Sequence, residues 1–222
     1  MSDQIIVHGI PGSPYVRMPL LVCEEKGVPY TLKAMAFGTG AHKTPEYLAM
    51  HPFGRLPTIQ HGDFTLYEAA AILRYVDRAF PGRSLTPTDP KAAARMDQVM
   101  NIVDWYVMPS ITAKIGFNRV VKPIFGMPAD EAAVAEGVPL GRTSVAALED
   151  LLGSKPYFAG DAVSLADLMA VAHLDLLPMS PEGADMIAGS PLLGWLERMA
   201  ERPGVRNTTM HRMMNLPETA AA

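Results

Sequence analysis

HPFGRLPTIQHGDFTLYEAAAILRYV, residues 51–76, decides how the first third of the chain folds. Pro57 has no backbone N–H to give a sheet, so it must sit at the start or edge of a strand. The runs at 57–60 and 64–67 are short, rich in Thr, Ile, Phe, Leu and Tyr, and separated by His61-Gly62-Asp63, a turn signal between antiparallel strands. From Glu68 the period changes: Ile72, Tyr75, Val76 and Ala79 fall on one helical face. Upstream, IIVHG at 5–9 reads as a buried strand, SPYVRMPLLVCEEKG at 13–27 as a helix ending on glycine, and TLKAMAF at 31–37 as a second strand. Strand, helix, strand, hairpin and helix in about 80 residues describe a small sheet covered by helices.

The chain changes character at PGRSLTPTDPKAAAR, 81–95, a polar linker with prolines at 81, 87 and 90. Beyond it the pattern is helical only, giving an α/β part at 1–81 and an all-α part at 91–222. Asp89 before Pro90 marks a helix start. Gly137 and Pro139 interrupt the periodic stretch 130–153, which predicts two helical pieces or one bent helix. In GDAVSLADL, 160–168, Ser164 and Asp167 have the spacing of a capping box before an apolar run, a folding device in preference to a catalytic one.

The composition excludes several classes. Nineteen Lys and Arg oppose 23 Asp and Glu, with neither sign in a long block, so nothing asks for nucleic acid. No stretch of roughly 18 apolar residues occurs and the start lacks a secretion signal, so a soluble cytoplasmic protein off the membrane is expected. Cys23, the single cysteine, can form neither an internal disulfide nor a cysteine-rich metal site, and its mid-helix position on the apolar side makes it a core residue. No metal is expected.

The residues also suggest a ligand. A cis bond between Leu56 and Pro57 would turn the chain sharply and leave the Leu56 N–H and C=O facing outward, ready to pair with a peptide as an added strand. Glu68 has two uses open to it: an acid that favours the helix dipole, or a carboxylate that binds an ammonium. The N–H groups of the same helix start, that of Ala69 included, suit a carboxylate. An amino-acid headgroup carries both charges. Ser13, just before Pro14, is a natural N-cap, and its hydroxyl equally suits a ligand; both uses stay open.

IIVHGIPGSPYVRMPLL, GAHKTPEYLAMHPFGRLPTIQHGDFTLYEAAAILRYV and PYFAGDAVSLADL together resemble the glutathione S-transferase family over nearly the whole chain. The Ser13–Arg17 spacing, GAHKTPEYL and KPIFGMPADEAAVAEG are most similar to the phi class or its bacterial relatives. The resemblance implies a thioredoxin-like N-terminal domain at 1–81 that binds glutathione as co-substrate, an all-helical domain at 91–222 with an apolar electrophile site, and a homodimer. It implies that Ser13 hydrogen-bonds the glutathione sulfur, that His42 and Lys43 lie near the glycine carboxylate, and that Arg55, Leu56 and Pro57 hold the cysteinyl part through the Leu56 backbone. Glu68 and Ala69 match the pair that grips the γ-glutamyl end, where the family usually has Ser at the second position. Tyr15 is the rival thiol activator or a pocket residue, and Arg17 either raises the positive potential near the sulfur or solvates a helix face. Trp105, Tyr106, Met108, Ile111, Ile115 and Phe117 crowd the region where such transferases contact the electrophile, with about half of them expected in the core. Phe53 is a candidate dimer anchor or a residue packing its own loop, and His173 an internally satisfied helix residue. A non-catalytic module of the same scaffold, favoured by Ala69, and a glutathione-dependent peroxidase or isomerase are the competing readings.

Overall fold

A computed structural model describes residues 4–215. In chain order, the first segment holds β1 (Ile5–Gly9), α1 (Pro14–Lys26), β2 (Tyr30–Ala34), a single 3₁₀ turn (Ala41–Lys43), α2 (Pro45–Met50), β3 (Thr58–His61), β4 (Phe64–Tyr67) and α3 (Ala69–Ala79). The helical segment contains α4 (Pro90–Ile102), which runs on as a π-helical stretch Val103–Val121, then α5 (Lys122–Ile124), α6 (Glu131–Leu152), α7 (Leu165–Leu174), α8 (Pro181–Ile187) and α9 (Pro191–Ala200). Two short helices follow, α10 (Pro203–Asn207) and α11 (Met210–Met214).

The described residues divide into two compact units, one of residues 4–85 with 201–215, the other of 86–200. In the first, β1 pairs in parallel with β2 and antiparallel with β3, and β3 forms a hairpin with β4, so the strand order is β2-β1-β3-β4. The order of elements predicts this small sheet, and its thioredoxin-like form is the one that the resemblance implies. Its core is apolar: Ile5, Val7 and Ile59 of the strands, Leu20, Leu21 and Cys23 of α1, and Ile72, Leu73 and Val76 of α3 are all fully buried. Each such aliphatic side chain contributes roughly 1.5–3 kcal/mol. At the far end of α1, Lys26 forms a buried ion pair with Asp77 of α3 at 3.3 Å. Lys26 also donates to the carbonyls of Asp77 (2.8 Å) and Arg83 (3.2 Å), and the Leu85 N–H donates to the Asp77 carboxylate at 2.8 Å. The linker is therefore stitched to α1 and α3 where it begins.

The segment from Glu201 packs on α1, whereas the expected boundary grouped it with the helices from 91 onward. Arg17 is the reason. Its side chain is only 3% exposed and donates to the Val205 carbonyl at 3.2 Å and the Thr208 hydroxyl at 3.3 Å. Arg202 grips Glu25, its Nε 2.7 Å from Oε1, and Asn207 donates to Glu24 at 2.9 Å. Of its two expected roles the solvated one is overturned, because a guanidinium held by Val205 and Thr208 faces no solvent.

In the helical unit α6 is a single helix through both Gly137 and Pro139. Gly137 is there for closeness: a Cβ at that position would lie 2.7 Å from the Lys114 Cβ of the π-helical stretch. The box at the start of α7 forms as expected and does more. The fully buried Asp167 carboxylate accepts from the Ser164 N–H (2.9 Å) and hydroxyl (2.7 Å), the Phe158 N–H (3.0 Å) and the Trp195 indole N–H (3.0 Å). Arg119 ties three helices, reaching Glu131 of α6 at 2.7 Å and Glu182 of α8 at 2.6 Å. His173 Nδ1 meets the Thr112 hydroxyl at 2.7 Å. Among the described residues, no helix is long and apolar enough to cross a membrane, and no cluster of His, Cys, Asp or Glu could hold a metal ion.

Candidate functional site

The register of the sheet decides which loops meet. His8 of β1 stands opposite Thr58 of β3, and Thr58 opposite Tyr67 of β4. Neighbouring strands lie about 4.8 Å apart. One step beyond that row come Gly9, Pro57 and Glu68, so the loop leading to Ser13, the Leu56-Pro57 bend and the start of α3 leave the sheet at one end.

Ser13 is the N-cap of α1 by backbone geometry, with φ −67° and ψ 128°, and its carbonyl accepts from the Arg17 N–H at 3.0 Å. Its hydroxyl makes no cap hydrogen bond. Pro14 at the first helical position has no N–H to satisfy, and no acid occupies the first turn. The positive end of a 13-residue helix is thus met by an uncommitted, half-buried hydroxyl.

The Leu56–Pro57 peptide is cis, as expected. The N–H and C=O of Leu56 bond to nothing among the described residues. On either side the backbone is fixed by Tyr47, which the sequence reading did not single out. Its hydroxyl donates to the Arg55 carbonyl at 2.8 Å and lies 2.9 Å from the Thr58 hydroxyl. Burial pushes the Tyr47 phenol above its ordinary range, so it remains a donor at any physiological pH.

Glu68 is the one described non-glycine residue with positive φ, at 72° with ψ 112°. Such a conformation costs of order 1–3 kcal/mol and is kept only where its surroundings impose it. The side chain is exposed and makes no cap bond, so of its two possible uses it serves the helix as neither a capping nor a first-turn acid. Ala69, buried at 6% exposure, opens α3, whose leading N–H groups carry no side-chain cap. A carboxylate and a row of free N–H groups stand side by side.

The remaining candidates are placed less pointedly. His42 is half-buried in the turn Ala41–Lys43, and Lys43 donates to the Phe53 carbonyl at 3.2 Å, so its ammonium is partly engaged. Gly54 allows this loop to close: at φ 54° a Cβ would lie 2.9 Å from the His42 carbonyl. The Arg55 side chain is exposed and Tyr15 half-buried. Cys23 is inert, since burial pushes its thiol up to about 12. In the helical unit Tyr106 is 63% exposed and Trp105 73%, whereas Ile111 and Ile115 are core residues at 1% each. Ile111 packs against the Gly141 face of α6, where a Cβ would be 3.3 Å away. The sequence reading also passed over His51, whose ring is 2% exposed and stacks on Tyr67 with centroids 4.6 Å apart. Nothing in its local sequence distinguishes it from a loop histidine.

Known proteins resemble this chain over most of its length. The family model for the glutathione S-transferase N-terminal domain matches residues 3–78 and that for the C-terminal domain residues 95–203. Glutathione S-transferase 4 of Zea mays is 34% identical over 91% of this chain and 90% of its own length. A probable glutathione S-transferase of Oryza sativa subsp. japonica is 33% identical over 82% of this chain and 85% of its own. The crystal structure of glutathione transferase F7 from Populus trichocarpa superposes with a TM-score of 0.83 at 29% identity, covering 96% of this chain and 100% of that one. Glutathione S-transferase I from maize, solved with an atrazine glutathione conjugate, gives 0.82 at 28% identity over 96% and 99% of the two chains. With both domain models matched in order and relatives aligned nearly end to end, the chain belongs to the glutathione S-transferase family.

Proposed function

We propose that this chain is a glutathione transferase that activates the glutathione thiol through Ser13 and directs it at small apolar electrophiles. The observation that carries this reading is the Ser13 hydroxyl, which stands at the N-terminus of α1 without being spent on the cap. The Leu56 N–H and C=O hold the cysteinyl backbone as an added strand would. Glu68 takes the ammonium of the γ-glutamyl end and the N–H groups from Ala69 onward its carboxylate, while His42 and Lys43 face the glycine carboxylate with Arg55 beside them. Tyr15 lines the thiol side, and Tyr106 is the exposed acceptor contact of the helical unit, with Ile111 as its packing. The protein works as a cytoplasmic homodimer, and Phe53, 65% exposed, is the anchor.

A thiol of pKa about 8.5 is roughly 3% ionised at pH 7, and lowering it by about two units makes it roughly three-quarters ionised. Two units correspond to about 2.7 kcal/mol. A hydroxyl donating to a charged sulfur contributes about 1.5–3 kcal/mol and a helix N-terminus about 0.3–1 kcal/mol, so together they reach what is needed. Ser13 stays neutral throughout: the thiol proton leaves to water, the hydroxyl donates to the thiolate, and the sulfur lone pair forms a bond to the electrophilic carbon as the bond from that carbon to its leaving group breaks, the bonding pair departing with the leaving group as an anion such as chloride. Ser13→Ala is expected to raise the kinetic pKa of bound thiol by at least about one unit while glutathione affinity stays nearly constant. An unshifted pH–rate profile would move the role to another donor, with Tyr15 next.

Ala69 favours a second reading, a ligand-binding module without turnover, because a methyl stands where the family usually offers a hydroxyl. Calorimetry with glutathione separates the two: no heat at millimolar ligand would reject the enzyme.

A further inference from the structure

His51 sits where the two backbone arms of the site meet. It caps α2, with its N–H donating to the Tyr47 carbonyl at 2.9 Å, and its own carbonyl accepts from the Gly54 N–H at 2.8 Å, so it begins the turn that delivers Arg55 and Leu56. Its ring lies nearly flat on Tyr67, at 4.6 Å and 28°, and Tyr67 immediately precedes the strained Glu68. Tyr47 stacks from the α2 side at 6.3 Å, and Phe53 meets the ring edge-on at 6.2 Å. The imidazole is 2% exposed, and its Nδ1 is buried without a hydrogen-bond partner. What fixes the ring is therefore its aromatic neighbours, with Tyr67, Tyr47 and Phe53 all in ring contact with it. The charged groups facing it are Glu68, Arg55 and Lys43, and its titratable ring neighbours are Tyr47 and Tyr67.

We propose that His51 is a positioning residue for the ammonium end of the bound tripeptide: stacked on Tyr67 it holds Glu68 in its positive-φ conformation, and when protonated it competes with the ligand for the Glu68 carboxylate. The proposal rests on the reading of Glu68 given above. Burial holds the imidazole below its ordinary range, partly offset by Glu68, so the ring is neutral at pH 7.5 and gains a proton only as the solution becomes acidic.

The test uses the full chain and two variants, His51→Ala, which removes the stack, and His51→Phe, which keeps the plane and abolishes the charge. At pH 7.5 the Ala variant weakens glutathione binding about three- to tenfold, as the loss of one aromatic stack implies, with kcat toward an activated aryl chloride changed by less than about twofold. The Phe variant restores affinity to within about twofold of the parent. Between pH 7.5 and 5.0 the parent loses affinity more steeply than the Phe variant. Without ligand, amide exchange at residues 68–71 quickens about three- to tenfold in the Ala variant and not in the Phe variant. Unchanged affinity and exchange in the Ala variant, equal losses in both variants, or identical pH profiles of parent and Phe variant would overturn the proposal. The exchange measurement decides even if the parent fails to bind glutathione, a failure that would instead remove the transferase reading.

Discussion

Ala69→Ser is the sharpest perturbation of the γ-glutamyl end. Ala69 is the first residue of α3, 6% exposed, next to the Glu68 carboxylate and the uncapped N–H groups of the helix. A serine here lies past the N-cap, so its hydroxyl is not consumed by the first turn, and it enters a position that is mostly dry. A hydrogen bond from that hydroxyl to the ligand carboxylate contributes about 1.5–3 kcal/mol. Holding the rotamer and surrendering some hydration offset part of it, which leaves roughly one to two decades in Kd. The helix itself becomes less stable by about 0.5 kcal/mol, the difference between alanine and serine in helix propensity. Titration calorimetry of parent and variant with glutathione at pH 7.5 measures the gain, and a urea melt without ligand measures the cost. Unchanged or weaker binding would refute the placement of the γ-glutamyl carboxylate at this helix start and show that the natural ligand differs at that end.

Other expectations concern the frame. Asp167→Asn keeps one carbonyl oxygen for two donors but turns an amide toward the Ser164 N–H, so one buried N–H is orphaned and the urea midpoint falls by the equivalent of about 1–3 kcal/mol; Asp167→Ala orphans three and falls further. Arg17→Ala releases α10 from α1, and amide exchange over residues 203–214 should quicken at least tenfold while the sheet stays protected, against the equal protection that a solvated Arg17 would give. His8 is 8% exposed and its pKa is lowered, chiefly by burial. The folded chain therefore binds fewer protons than the unfolded one as pH falls through about 6.5, and stability declines from there toward the folded pKa. Urea midpoints at pH 7.5 and 5.5 should converge in His8→Asn relative to the parent, and an equal slope in both would place the linkage elsewhere. Asp167, raised by burial, acts with the opposite sign, so the difference between parent and variant is the quantity to read.

What could be read from the sequence was what adjacent residues settle among themselves. The turn at His61-Gly62-Asp63 fixed the hairpin, Pro57 fixed where β3 could begin, and the Ser164–Asp167 spacing announced the start of α7. Arg17 was misread because its partners lie 188 and 191 residues away, and nothing in the first helix announces them. Gly137 and Pro139 left two helical pieces or one bent helix open, because a sequence shows the cost of glycine in a helix without the neighbouring helix that requires it, and the structure keeps one helix. The site divides in the same way. Ser13, Leu56 and Glu68 could be selected because their chemistry shows in residue type and position. Tyr47 and His51 act by bracing others through rings and a single hydroxyl, and an aromatic residue in a short helix or loop has no spacing that reveals such work.

The central claim is that a free hydroxyl at the head of α1 receives the sulfur of a tripeptide held by Leu56 and Glu68. A crystal of the full chain grown with glutathione tests it most directly. The account predicts the sulfur within about 3.5 Å of the Ser13 Oγ, the cysteinyl backbone paired with Leu56, and the ammonium on Glu68. A sulfur turned away from Ser13 while those two arms are occupied would contradict it.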